Sequence, residues 1–222
     1  MKKLIIVGNA AAAKLMYDYV VTDSRYHIVA FAADVQYIKS ADLNGYPVVD
    51  LEEIVMDYHP SEHSILLAVG YGDLNRNREG IFHRLKERGY TIETYIHPDA
   101  KVYSKVIGEG SIIMPNAFID VKTEVGENTV IWGNSSVAHN VKIEANCWLA
   151  TGCVLSGGVQ LGKNTFVGVS ATVVNDVQIG SHNIIGAGAL IVKCTGDYKV
   201  HISRQTEEFR LGAEDYLRFT KM

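Results

Sequence analysis

The pattern of apolar and polar positions changes near residue 97. Before it, short apolar runs alternate with helical spacing. Residues 4–7, 27–32, 64–69 and 91–96 read as strands. Residues 10–20, 51–57 and 74–88 read as helices. The first carries Leu15, Met16 and Tyr19 on one side, and the last is closed by Gly89, a residue suited to a left-handed C-cap. Strand–helix alternation of this kind predicts a parallel sheet with helices on its faces.

After residue 97 the helical spacing gives way to a period of six. Counting in sixes from Ile107 to Ile191 gives fifteen positions, every one Ile, Val or Leu. Four residues beyond each of the first fourteen stands a second series, running from Ser111 to Ala189, of which thirteen are small or β-branched and only Asn183 is not. A sandwich of amphipathic strands would show period two. Period six predicts a triangular β-solenoid: each unit is one short strand and one corner, the aliphatic residue points inward, and the small residue fits the crowded corner. Gly110, Asn116, Asn128, Asn134, Asn146, Asn164 and Gly188 are the expected corner residues, since Gly and Asn tolerate a turning backbone. Three units close a coil, so residues eighteen apart stack, and the fifteen units make about five coils.

Composition narrows the function classes. The chain has 222 residues, 47% apolar and 21% charged, which excludes disorder as its main theme. Its formal net charge is −4 and it has no run of like charges, so nothing points to nucleic acid or an anionic membrane as partner. No stretch approaches the ~18 apolar residues of a membrane span. Residues 4–7 are too short an apolar run for a signal peptide. Cys147, Cys153 and Cys194 are an odd number without zinc-site spacing, which reads as reduced thiols in a cytoplasmic protein. No metal is expected, because the coil region offers only His139 and His182, with His201 beyond, and no close pair.

Four segments carry a resemblance: Leu4-Ile5-Ile6-Val7-Gly8-Asn9, Tyr95-Ile96-His97-Pro98-Asp99-Ala100, Val137-Ala138-His139-Asn140-Val141 and Ile185-Gly186-Ala187-Gly188-Ala189. With the hexad repeat they make residues 2–195 resemble bacterial hexapeptide-repeat sugar acetyltransferases that carry a small Rossmann-like domain in front of the β-helix. These include enzymes that N-acetylate amino sugars on a nucleotide carrier and the related sialic-acid O-acetyltransferases. The resemblance implies an α/β Rossmann-like parallel sheet over residues 1–96 and a left-handed parallel β-helix over 97–200. Residues 201–222 form a tail with a short helix expected around 214–219. It also implies a homotrimer, with acetyl-CoA as co-substrate lying along the β-helix at a subunit boundary.

The resemblance places the general base at His139. A base near neutral pH is what the chemistry needs, since an amine or hydroxyl must lose a proton as it attacks a thioester. Strand alternation independently turns His139 out of the prism, two places after inward Val137. Eighteen-residue stacking puts Gly157 in the next coil, where its N–H is a candidate donor to the oxyanion; Gly157-Gly158 as a permissive corner is the other reading. Where relatives carry a carboxylate after the histidine, this chain has Asn140, which can hold a tautomer but cannot stabilise an imidazolium by charge. Asp120, stacked under Ala138, is a second candidate for orienting the ring. An amine, ionising near ~8, needs less help than a hydroxyl, so the missing carboxylate favours N-acetylation over O-acetylation.

Trp148 and Phe166, eighteen apart, are expected to form either an apolar wall for the pantetheine or a subunit contact. Ala187 and Lys193 resemble the region that meets the adenine and phosphates; a solvated charge is the plainer reading of Lys193. In front, Gly8 and Asn9 link the first strand to a helix N-terminus suited to a phosphate. Ala10 and Ala13 replace the later glycines of the dinucleotide fingerprint, which argues against NAD. Asp34, Gly70, Tyr71 and Asn75 follow strand ends where ligands collect, so they complete the expected acceptor site. The reading is an acetyl-CoA-dependent N-acetyltransferase acting on a nucleotide-linked amino sugar, UDP-linked for preference, in surface-glycan synthesis. Sugar O-acetylation is the alternative within the class, and a non-catalytic nucleotide-sensing β-helix protein the alternative outside it.

Overall fold

The computed structural model describes residues 1–220. The front of the chain forms β1 (Lys2–Val7), α1 (Ala11–Val20), β2 (Tyr26–Ala33), β3 (Asp42–Leu43), β4 (Tyr46–Asp50), α2 (Ile54–Asp57), β5 (His63–Leu67), α3 (Arg76–Glu87) and β6 (Thr91–Ile92). These make one sheet in the order β3-β4-β2-β1-β5-β6, parallel apart from the β3–β4 pair. Alternation along β1 divides its side chains between two cores. Ile5 and Val7 pack with Leu51, Phe82, Leu85 and Tyr90 beneath α2 and α3. Leu4 and Ile6 pack with Met16 of α1 and with Tyr95, Ile112, Val130 and Trp148 from the second half of the chain.

Two features differ from the sequence reading. The β3–β4 hairpin turns on Asn44-Gly45, with φ of +53° and +82°, as a tight hairpin requires; its strands are too short and polar to stand out by apolar periodicity. Residues 91–96 are two strands. Thr91–Ile92 pairs with β5, and Tyr95–Ile96 pairs with Ile112–Ile113 in the next unit. Both flanks are buried, which hides the break; between them buried Glu93 is held by Lys2 at 2.9 Å.

From Tyr95 the chain winds into a three-faced parallel β-helix. The first face has seven strands, from Tyr95–Ile96 to Val200–His201; the second has six, from Lys101–Val102 to Leu190–Ile191; the third has five, from Val106–Ile107 to Gln178–Ile179. Through its regular middle, strands eighteen residues apart pair in register, as Val130 with Trp148 and Val137 with Leu155. The inward aliphatics form one continuous buried column, each contributing roughly 1.5–3 kcal/mol of transfer free energy. Every sixth residue from Gly110 to Gly188 has positive φ, fourteen in succession, and six of them are Asn. All seven expected corners are among them. The small series has a second purpose: Ser111, Thr123 and Ser135 each donate to the carbonyl fifteen residues on, Gly126, Ala138 and Ala150, and so tie each coil to the next.

The ends explain where the period fails. Ile96 and Val102 are two further inward rungs, but Val102 precedes Ile107 by five residues, which breaks the count. At the other end Ile184 pairs with Val200, a shortened coil. Buried Asn183 fills that gap, donating to Gly180 O and Gly196 O at 3.0 Å and accepting from Lys199 N. The one misfit of the small series is therefore the stop. The tail ends in α4 (Ala213–Thr220), where a short helix was expected.

Helix α3 covers the corner between the third and first faces. Asn75 Nδ2 donates to Asn146 O at 2.8 Å, and Asn164 Nδ2 donates to Glu79 Oε2 at 2.9 Å. Fully buried Arg78 donates to the carbonyls of Leu67, Val69 and Gly110, joining the end of β5 to the β-helix. Burial draws its pKa down to about 9, still above neutrality, so the charge is kept and spread over backbone dipoles.

Candidate active site

His139 stands just before the corner between the second and third faces. Val137, inward and fully buried, fixes the strand, and Asn140, at φ +57°, turns the chain. The imidazole between them is exposed. Its ring lies against the bare Cα of Gly157: a Cβ there would come within 2.8 Å of His139 Cε1 and 3.0 Å of Nε2. A side chain on residue 157 would thus displace the imidazole. The Gly157 N–H donates to no group among the described residues, whereas its carbonyl accepts from Asp176 N and the next amide, Gly158 N–H, donates to His139 O. The stacking expectation therefore brings together an imidazole, a bare glycine and an amide N–H without a partner among the described residues.

Asn140 Nδ2 lies 2.8 Å from His139 Nδ1. A half-turn of the carboxamide, which interchanges its oxygen and nitrogen, brings Oδ1 to Nδ1, puts the ring proton there and leaves the Nε2 lone pair facing Gly157. Among the described residues Asp120 makes no hydrogen bond to His139; its Oδ1 accepts from Val121 N at 2.7 Å.

Trp148 and Phe166 are placed apart from His139. They stand on the first face, not on the edge that carries His139, and Tyr71 from the front unit covers them, with ring centroids 5.3 Å from Trp148 and 4.7 Å from Phe166. Trp132 lies beside Trp148, its ring tilted by 46° and the centroids 5.7 Å apart. This aromatic shelf joins the two halves of the chain. Eighteen-residue stacking gives the pairing of these rings but not which face is covered. Lys193 continues the column Val121, His139, Gly157, Asn175 along one edge and is exposed. Ala187 is exposed beside a different corner, next to Gly188.

A cavity of about 600 Å³ opens at the carboxyl ends of β1, β2 and β5 and is lined by Gly8, Asn9, Asp34 and Gly70. A Cβ at Gly8, φ +128°, would lie 2.5 Å from Ala68 O, so the close strand–helix turn requires glycine there. Asn9 Nδ2 donates to Tyr37 O at 2.6 Å, and Asp34 Oδ1 accepts from Arg84 at 2.7 Å. Two of the expected acceptor residues lie elsewhere. Tyr71 belongs to the aromatic shelf, and Asn75, 1% exposed, donates its Nδ2 to Asn146 O beneath α3. Lys14, Tyr37, Lys39 and Asn77 line the cavity unforeseen. Only Lys14, one turn into α1 beyond Asn9, had a sequence position that could have announced it.

The bacterial transferase hexapeptide model (six repeats) matches residues 122–157 and 158–193. No curated protein matches the chain. Among solved structures, the acetyltransferase domain of PglB from Neisseria gonorrhoeae FA1090 is 25% identical with a TM-score of 0.81; the match covers 91% of this chain and 97% of that one. The same domain in complex with acetyl coenzyme A gives 0.82 over 91% and 96%. A histidine-to-alanine variant of GDP-perosamine N-acetyl transferase from Caulobacter crescentus, in complex with CoA and GDP-perosamine, is 26% identical over 91% and 94% with a TM-score of 0.81.

The hexapeptide repeats over residues 122–193 and the likeness to acetyl-CoA-bound acetyltransferases support acyltransferase activity. The repeats fit the left-handed form of the β-helix. While Cys194 is exposed on the last coil, burial pushes Cys147 up to about 12 and Cys153 up to about 11, so neither offers a thiolate for acyl-enzyme chemistry. Both point into the core and stay protonated at neutral pH. Among the described residues no three His, Cys, Asp or Glu side chains gather as a metal site, and no helix is long and apolar enough to cross a membrane.

Proposed function

We propose that this acyltransferase moves the acetyl group of acetyl-CoA directly to the amine of a nucleotide-linked amino sugar, with His139 as general base. The observation that carries the reading is the His139 ring packed on bare Gly157 beside a free N–H. The amine lone pair attacks the thioester carbon while Nε2 takes a proton from nitrogen. The oxygen that gains the electron pair accepts from Gly157 N–H. The C–S bond then breaks, and the imidazolium returns its proton to the departing thiolate. With its Oδ1 turned to Nδ1, Asn140 holds the ring in the base tautomer without adding charge.

The front sheet, read as Rossmann-like, is the acceptor unit. Its cavity has room for a nucleotide sugar, with Lys14 and Lys39 for the diphosphate and Asp34, whose Oδ2 is unoccupied among the described residues, for a ribose hydroxyl. The amine acceptor accords with the Caulobacter enzyme, which binds GDP-perosamine. The cavity is lined by residues 7–81 alone, and His139 stands at the corner opposite the face on which the front unit packs. A site completed between subunits of a trimer reconciles the two: the cavity of one copy serves the His139 edge of another. A cytoplasmic enzyme of surface-glycan synthesis fits these substrates.

The test is acetyl transfer from acetyl-CoA to a panel of UDP-, GDP- and dTDP-linked amino sugars and their hydroxy analogues, read by mass spectrometry. Acetylated amino sugar is expected, and acetylation of the hydroxy analogues alone would overturn N-acetylation. Mixing the His139→Ala variant with a Lys14→Glu/Lys39→Glu variant tests the shared site. Activity that neither variant has alone is expected; none recovered in a co-assembled mixture would place the whole site in one chain.

A further inference from the structure

The column that contains His139 and Gly157 has a third member at the same point. A Cβ on Gly157 would touch the imidazole of the coil before it, and it would also lie 3.3 Å from Asn175 Nδ2, reaching over from the coil after it. His139 Nε2, the Gly157 backbone and the Asn175 carboxamide therefore converge on one point, too tight for even a methyl group. Asn175 is exposed, and among the described residues its carboxamide makes no hydrogen bond. The next residue, Asp176, already supplies the left-handed corner at φ +61°. Turn geometry thus does not require asparagine at 175, unlike at Asn128, Asn140 or Asn146, which are themselves corner residues.

We propose that Asn175 is a catalytic residue whose Nδ2 donates to the thioester oxygen alongside the Gly157 N–H, making a two-donor oxyanion site assembled from successive coils. This rests on the acetyl-transfer reading above. The geometry has a simple logic. Base and donors approach from opposite sides of the glycine, His139 from one coil and Asn175 from the next. The nucleophile's proton and the carbonyl oxygen are then met by different groups at one point. As the amine adds, the carbonyl π pair moves onto oxygen, and both donors strengthen there. When the C–S bond breaks the pair returns and the donors relax, while His139 carries the proton from nitrogen to sulfur. A donor to oxygen acts more strongly on the charged intermediate than on bound substrate, so its signature lies in kcat rather than KM.

The test compares Asn175→Ala and Asn175→Asp with the parent in acetyl transfer and in binding. Both variants are expected to keep the parent's thermal unfolding. Asn175→Ala is expected to lower kcat by about 10- to 100-fold with acceptor KM little changed. Asn175→Asp is expected to lose at least as much, because it sets an acceptor against a developing negative oxygen. Parent-like kcat in Asn175→Ala overturns the proposal, and so does full activity in Asn175→Asp with loss in Asn175→Ala, which would mean that Oδ1 accepts from the nucleophile. A second measurement needs no acceptor. Calorimetry compares acetyl-CoA with ethyl-CoA, a thioether without the oxygen; the parent is expected to prefer acetyl-CoA, and Asn175→Ala to narrow that preference several-fold. An unchanged preference overturns the donor role alone. A parent that binds neither ligand overturns the acetyl-transfer reading and this proposal with it.

Discussion

The corner through Asn128, Asn146 and Asn164 and the corner through Lys122, Asn140 and Gly158 share one backbone conformation, with φ between +54° and +73°. At the first, α3 lies over the edge and the carboxamide NH2 groups are engaged: Asn128 Nδ2 donates to Asn146 Oδ1 at 2.7 Å, and Asn164 Nδ2 donates to Glu79. At the second, Asn140 is exposed and its carboxamide meets the ring of His139. The six-residue period dictates the backbone and hence the preference for Asn and Gly. It does not dictate which corner carries chemistry. That depends on what packs on the edge, and on the residue just before the turn: Glu127, Ala145 and Lys163 along the first, His139, Gly157 and Asn175 along the second.

The same Gly→Ala substitution should therefore fail in two ways. Gly157→Ala places a methyl against the imidazole and is expected to cut kcat by about 100-fold or more with little change in unfolding. Gly110→Ala, at φ +73° and with its Cβ 2.8 Å from Phe82 Cε2, is expected to cost roughly 2–3 kcal/mol of stability and to leave kcat per folded molecule unchanged. Chemical denaturation and steady-state kinetics on both variants read the contrast; equal kinetic losses would erase the distinction between the corners.

Next in size is the buried asparagine ladder. Asn146→Ala leaves Asn128 Nδ2 without its acceptor and puts Ala in a left-handed turn, at a cost of about 2 kcal/mol. A fall in midpoint without loss of kcat is the expected result. Asn140→Ala should reverse that balance, losing about tenfold in kcat by freeing the ring and about 1 kcal/mol for the turn. Asn140→Asp, which restores an acceptor and adds charge, should recover kcat to the parent value or above. A rate insensitive to both substitutions would show that Asn140 is a turn residue only. The smallest effect is a count: at pH 8 the native chain should present one thiol to a disulfide reagent, Cys194, and three after denaturation, because burial holds Cys147 and Cys153 protonated. Two fast native thiols would be inconsistent with the packed prism.

The β-helix was legible because one rule repeats. An inward aliphatic every sixth residue from Ile107 to Ile191 fixes strand, face and coil together, and placed His139 outside the prism over Gly157 before any coordinates. Its ends were less legible, since Val102 to Ile107 is one residue short and the last coil closes early around Asn183. The front sheet followed from apolar alternation, except at β3 and β4, where a polar hairpin has no such pattern. Relations between the halves were not legible. Nothing local in Asn75, Tyr71 or Trp148 says that they meet across the fold, so Asn75 and Tyr71 read as ligand residues and Trp148 as a cofactor wall or a subunit contact. Long-range packing decided all three.

His139→Ala, measured in single-turnover acetyl transfer alongside acetyl-CoA binding and thermal unfolding, separates base from scaffold. Unchanged unfolding, acetyl-CoA affinity within about threefold of the parent and a transfer rate lower by about 1,000-fold are expected. A transfer rate equal to the parent's, in a folded variant that still binds acetyl-CoA, would contradict the assignment of the base.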